Sequence, residues 1–176
     1  TPLGNDTIIK AKVPNSEFLT GDWGDFEGLK NNCRIHFEPC HHWSARGVND
    51  RRMALWAAFV IETPSAKIYH VGDTGYHDGI NYQALLEKHG PMDLAILPIG
   101  AYEPRWFMKG QHQNPDEAVL GAMAIEAKTT IGHHWGTFQL TNEAIEAPIE
   151  ALQVAKAKYN INDDAFVVLR PGKEWS

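Results

Sequence analysis

A mixed α/β domain, with helices covering a sheet, is the fold class this sequence predicts, and three observations carry it. Apolar or β-branched runs of strand length alternate with segments of helical period. Pro and Gly punctuate their boundaries. One segment, "NPDEAVLGAMAIEAK", opens with a full set of helix-start signals. Strands alternating with helices pack as helices on a sheet. The 176 residues suit one compact domain, residues 1–176, with no linker, low-complexity tract or solenoid period.

The elements follow in order. "CRIHFEPC" alternates Ile35 and Phe37 with polar neighbours and stops at Pro39, which predicts a strand running into "HHW". "ALWAAFVIET" and "KIYHV" read as neighbouring strands joined by the turn "TPSA", the second ending in "GDTGY". "NYQALLEKHG" predicts a short helix closed by Gly90. "MDLAILPIGAY" is almost continuously apolar, the pattern of a central strand covered on both faces.

In "NPDEAVLGAMAIEAK", Asn114 is placed as N-cap, Pro115 at the first helical position and Glu117 three residues after the cap. "TTIG" is a short strand running into a second "HHW". "PIEALQVAKAKYN" spaces Ile149, Leu152, Ala155 and Tyr159 along one helical face, and "DAFVVLRPG" closes as a strand.

Composition excludes some classes. A net charge of -6 disfavours a nucleic-acid surface. No apolar run reaches 18 residues and the first residues carry no export signal, so a cytoplasmic location is expected. Cys33 and Cys40 flank one strand, whose ~3.3 Å rise per residue holds them ~20 Å apart, too far to bridge.

The chemistry gathers at strand ends. His41 and His42 follow the first strand, Asp73 follows "IYHV", and His133 and His134 follow "TTIG". Strands running in one direction bring such ends to one rim, where α/β proteins gather their functional loops. Adjacent residues on an extended segment point to opposite sides, so one histidine of each pair can face a shared centre, and local pattern does not say which. Turn residues capping their own backbone are the plain alternative for each alone.

"CHHW", "GDTGY", "PIGAYEPRWFMKGQH", "DEAV" and "HWGTF" resemble the metallo-β-lactamase-fold hydrolases, and within them the N-acylphosphatidylethanolamine-hydrolysing phospholipases D and their bacterial relatives. The resemblance runs from about Pro2 to Gly172. It implies an αββα sandwich, of which this chain matches the C-terminal half, and two zinc ions in the intact protein. Carried over, the metal ligands are His42, Asp73 and His134, with Asp73 also counted as catalytic.

The implied reaction is attack of a zinc-bound hydroxide on a phosphodiester, releasing phosphatidic acid and an N-acylethanolamine. His112 is implied as a proton donor to the leaving group or a substrate ligand; a polar residue ahead of the Asn114 cap is the plain alternative. Tyr102, Arg105 and Trp106 are implied to bind substrate. Their loop mixes apolar and cationic side chains, so peripheral membrane contact is expected beside simple packing of the loop.

The family's His-x-His-x-Asp-His motif occurs nowhere in the chain. The chain therefore reads as the second half of the sandwich, binding zinc weakly or not at all alone, with an N-terminal half or a second copy of itself as partner. A lactonase-type hydrolase on the same scaffold, or a non-catalytic interaction module, are the rival readings.

Overall fold

The computed structural model describes residues 1–175. Its elements are α1 (Asp6–Lys12), β1 (Phe26–Gly28), β2 (Arg34–Glu38), β3 (Ala58–Glu62), β4 (Lys67–His70), α2 (Ile80–His89), β5 (Leu94–Pro98), α3 (Arg105–Met108), α4 (Pro115–Ala124), β6 (Thr129–His133), α5 (Ala147–Tyr159) and β7 (Phe166–Val168). The seven strands form one sheet in chain order. β1 to β4 make an antiparallel meander, and β4 to β7 pair in parallel. Because β2 and β4 both oppose β3, they run the same way. The C-terminal ends of β2, β4, β5 and β6 therefore share one rim.

The helix starts and stops are chemically explicit where the sequence predicts them. At α4 the Asn114 side chain accepts the Glu117 N–H at 2.8 Å, and Glu117 accepts the Asn114 N–H at 2.9 Å. Two N–H groups that the helix leaves unpaired are thereby satisfied. α2 ends where Gly90 takes a φ of 73° and donates to Leu86 O at 2.8 Å.

The core lies between the sheet and its helices. Val60, Ala95, Leu97, Ile99, Val119 and Leu152 are fully buried there. Complete burial of a Val, Leu or Ile side chain contributes ~1.5–3 kcal/mol, so this layer is the main source of stability. Helix α4 packs on β5 and against α2 and α5. At the α2 contact a Cβ on Gly121 would come 2.7 Å from the Tyr82 ring, so only glycine lets the two approach this closely.

The opposite face is different. Ile35, Phe37, Phe59, Ile61 and His70 line an open concavity of about 550 Å³, with Thr1, Leu19 and Trp56 at its edge. Cover on both faces of the central strands, expected from "LAILPI", is thus incomplete: Leu94 and Ile96 of β5 are only half-buried. The run 54–63 is also strand only from Ala58, because Leu55 N–H donates to Leu3 O and draws the earlier residues out of the sheet. Helices α1 and α3 and strand β1 were not anticipated; each is short and without buried residues or a strong period. Cys33 and Cys40 are free thiols, as their separation along β2 requires. Among the described residues, no helix is long and apolar enough to cross a membrane.

Candidate metal centre at the sheet rim

His42, Asp73, His112 and His134 converge on the rim. His42 Nε2 lies 3.4 Å from His112 Nε2, and His134 Nε2 lies 3.3 Å from Asp73 Oδ1. One ligand atom from each of His42, Asp73 and His112 falls within 4.8 Å of the others. His42, Asp73 and His134 arrive from the exits of β2, β4 and β6, as the strand-end argument requires. His112 arrives from the turn between α3 and α4.

Local geometry selects one histidine from each pair. His133 is the last residue of β6, paired with Pro98, and its ring turns to the open face, 5.3 Å from the His70 ring. His134 leaves the strand with a φ of 61°, which swings its side chain to the rim. That turn depends on Gly100, whose Cβ, were it present, would stand 2.0 Å from the His134 carbonyl oxygen. His41 stacks on His77 with ring centres 3.8 Å apart, leaving His42 to face the centre.

Several residues hold the ligands that sequence pattern did not single out. The Trp56 indole N–H donates to Asp73 O at 3.0 Å, and its ring lies 4.3 Å from that of His42. His42 Nδ1 donates to Trp43 O at 2.9 Å, which leaves the Nε2 lone pair directed inward. Thr74 Oγ1 accepts the His41 N–H at 2.9 Å and joins the exits of β2 and β4. Gln113, fully buried, donates through Nε2 to Pro98 O at 3.1 Å and accepts from Tyr82 Oη at 2.7 Å, while its N–H donates to Thr74 O at 2.8 Å. Its place between His112 and the Asn114 cap was a usable signal; Trp56 carried none.

The electrostatics suit a cation. Burial alone pushes the Asp73 carboxyl upward, but the hydrogen bond from His134 and the nearby imidazoles prevail and hold it below its ordinary range. The hydrogen bond to Asp73 raises His134 in turn. Burial lowers His42, and it lowers His112 to about 4, so both present neutral rings at pH 7. His112 Nδ1 and His134 Nδ1 are buried without a hydrogen-bond partner among the described residues.

Two ligands each ~2.0–2.1 Å from a tetrahedral zinc are themselves ~3.4 Å apart. The 3.3 and 3.4 Å separations at the rim match that spacing. Imidazole and an ionised carboxylate are also the donor types zinc takes, and a cation there would take the place of the proton that Asp73 holds on His134, so these residues fit the ion.

The three residues of the loop 102–107 expected to bind substrate differ in exposure. Tyr102 is 8% exposed and its N–H donates to Glu143 Oε1 at 3.1 Å. Arg105 donates to both Glu117 oxygens, at 3.0 and 2.7 Å, and to the carbonyls of Tyr102 and His112. Its guanidinium is committed to the protein. Trp106 is 80% exposed and meets Phe107 edge to face at 5.7 Å.

Comparison with known proteins places this geometry. A model described as a beta-lactamase superfamily domain matches residues 11–135. The chain is 39% identical over 159 residues to N-acyl-phosphatidylethanolamine-hydrolyzing phospholipase D 1 of Caenorhabditis elegans, covering 88% of this chain and 44% of that protein. It is 36% identical over 136 residues to the mitochondrial N-acyl-phosphatidylethanolamine-hydrolyzing phospholipase D of Saccharomyces cerevisiae, covering 75% of this chain and 29% of that protein. The chain thus spans less than half the length of these relatives. Among solved structures, Igni18, a metallo hydrolase of Ignicoccus hospitalis, superposes with a TM-score of 0.67 at 19% identity, over 98% of this chain and 65% of its own. The metallo-beta-lactamase fold protein YhfI of Bacillus subtilis does so with a TM-score of 0.63 at 16% identity, over 98% and 62%. The fold is the metallo-β-lactamase fold.

Proposed function

The chain belongs to the beta-lactamase superfamily, and from that membership we propose that it is part of a zinc-dependent hydrolase acting on the phosphodiester of N-acylphosphatidylethanolamine. The observation that carries this reading is the convergence of His42, Asp73, His112 and His134 at zinc-like spacing, in a chain 39% identical to a phospholipase of that name. His42, Asp73 and His134 would hold the metal. When bound, zinc supplies an acidified water and positive charge for the phosphoryl oxygens.

The chain's own residues do the remainder. Trp56 fixes the Asp73 main chain and shields one side of His42. His112, a neutral ring at the centre, offers a hydrogen bond to the substrate or its leaving oxygen. The exposed Trp106 and Phe107 of α3 give the neighbouring surface an apolar edge suited to a lipid.

A two-metal centre needs more donors than these three ligands supply. We assign the rest to a further segment of the whole protein, packed on the face lined by Phe37, Phe59 and Ile61. The test is an assay of the full-length, metal-analysed protein on N-acylphosphatidylethanolamine and on a panel of lactones. Release of phosphatidic acid and N-acylethanolamine is expected. Lactone opening without phosphodiester cleavage would overturn the substrate, and full activity in metal-free protein would overturn the reaction.

A further inference from the structure

A second group of ligand-type side chains lies outside the rim. His36 and Glu38, two residues apart on β2, project to the same face of the sheet. His89, the last residue of α2, meets them there. Its Nε2 lies 2.8 Å from Glu38 Oε1, and the His36 and His89 rings stand nearly perpendicular with centres 4.8 Å apart. One ligand atom from each of the three falls within 4.8 Å of the others. Their side chains are 13%, 7% and 9% exposed, sheltered yet in reach of solvent.

The group shares no residue with the rim centre. Glu62, whose Oε2 is 3.4 Å from His36 Nε2, adds a second carboxylate beside it. Lys88 Nζ stands 2.7 Å from the same Glu38 oxygen that His89 contacts. An ion pair between Glu38 and Lys88 would account for one burial-compensating contact, but not for the His89 ring on the same carboxylate oxygen with the His36 ring beside it.

Two imidazoles and a carboxylate are a donor set that selects a first-row divalent ion, zinc above all. Both scaffolding elements are regular, one strand and one helix, so the donors are held by main-chain geometry rather than by a loop. Burial holds His36 below its ordinary value against the opposing pull of Glu62, which favours the neutral ring a cation needs. Burial pushes Glu38 up, but the hydrogen bonds from His89 and Lys88 outweigh it and keep the carboxylate ionised.

We propose that His36, Glu38 and His89 form a second zinc-class cation site, in which Lys88 neutralises the carboxylate until the ion displaces it. The Lys88 side chain is 42% exposed and can swing into water when that happens. The ion would tie β2 to the end of α2, stabilising the fold as any ligand of the native state does.

Equilibrium dialysis of the 176-residue chain against zinc tests this, with the variants His36→Gln/His89→Gln and Lys88→Met. The double variant is expected to retain one equivalent fewer than the parent. Lys88→Met is expected to bind that equivalent about tenfold more tightly, because the competing ammonium is gone. Equal stoichiometry in parent and double variant, or a Lys88→Met affinity no tighter than the parent's, overturns the site. Should the double variant not fold, Co²⁺ added to the parent decides: paramagnetic shifts of the His36 and His89 ring signals are expected, and unshifted rings reject it.

Discussion

Gly100 lies directly beneath His134: a side chain at position 100 would put its Cβ 2.0 Å from the His134 carbonyl oxygen. The clash is with main chain, so no rotamer change relieves it. The turn that brings His134 to the rim would have to move. Gly100→Ala should therefore cost more than the ~1–3 kcal/mol of an ordinary overpacking change, and should weaken metal binding in the full-length protein. Urea unfolding and zinc titration measure both, and a variant with parental values in each would show that the His134 turn is not held this way.

His133 and His134 offer an internal control. His134→Ala removes a rim donor beside Asp73, while His133→Ala removes a ring directed to the open face against His70. In the full-length protein the first should abolish turnover, with the melting temperature of the metal-free form nearly unchanged. The second should leave most activity. Equal loss from both, with folding preserved, contradicts the division of the pair.

Arg105 predicts a stability effect. Its guanidinium donates to Glu117 twice and to the carbonyls of Tyr102 and His112. Arg105→Ala should destabilise the chain by about 1–3 kcal/mol, discounted toward the lower end because both side chains are a quarter exposed. Arg105→Lys should not restore it, since an ammonium cannot satisfy the forked set. Chemical denaturation of the three proteins checks the order.

The two thiols should differ sharply in reactivity. Burial pushes Cys40 up to about 12, so almost no thiolate exists at pH 8 in the folded state. Cys33 is only half-buried. Iodoacetamide at pH 8, read by mass spectrometry, should label Cys33 first and Cys40 only after denaturation.

The open face predicts association. The apolar residues Ile35, Phe37, Phe59 and Ile61 line a concavity that water should not occupy alone in a stable assembly. The 176-residue chain should self-associate in solution, or bind the further segment proposed above to complete the rim when the two are mixed. Two-metal occupancy of the rim should follow the second case only. A monomer with two zinc ions bound at the rim would refute the assignment of further ligands to another segment.

What the sequence determined by itself was local or periodic. The α4 start was legible because Asn114 and Glu117 bond to each other across three residues. Strand ends were legible because Pro39, Gly72 and the "HHW" segments interrupt apolar runs, and their convergence followed from strands sharing a direction. Resemblance picked out His42, Asp73 and His134, and these three do meet at the rim.

Tertiary structure decided what depends on distant partners. His134 faces the rim because of a positive φ that Gly100, thirty-four residues earlier, leaves room for. Arg105 is turned inward by Glu117, and Trp56 reaches Asp73 across the exit of β4. His36, Glu38 and His89 come together only when α2 packs back along the sheet and its last turn meets β2. None of these contacts leaves a periodicity in the chain, because each is set by packing between elements and not by the order of residues within one.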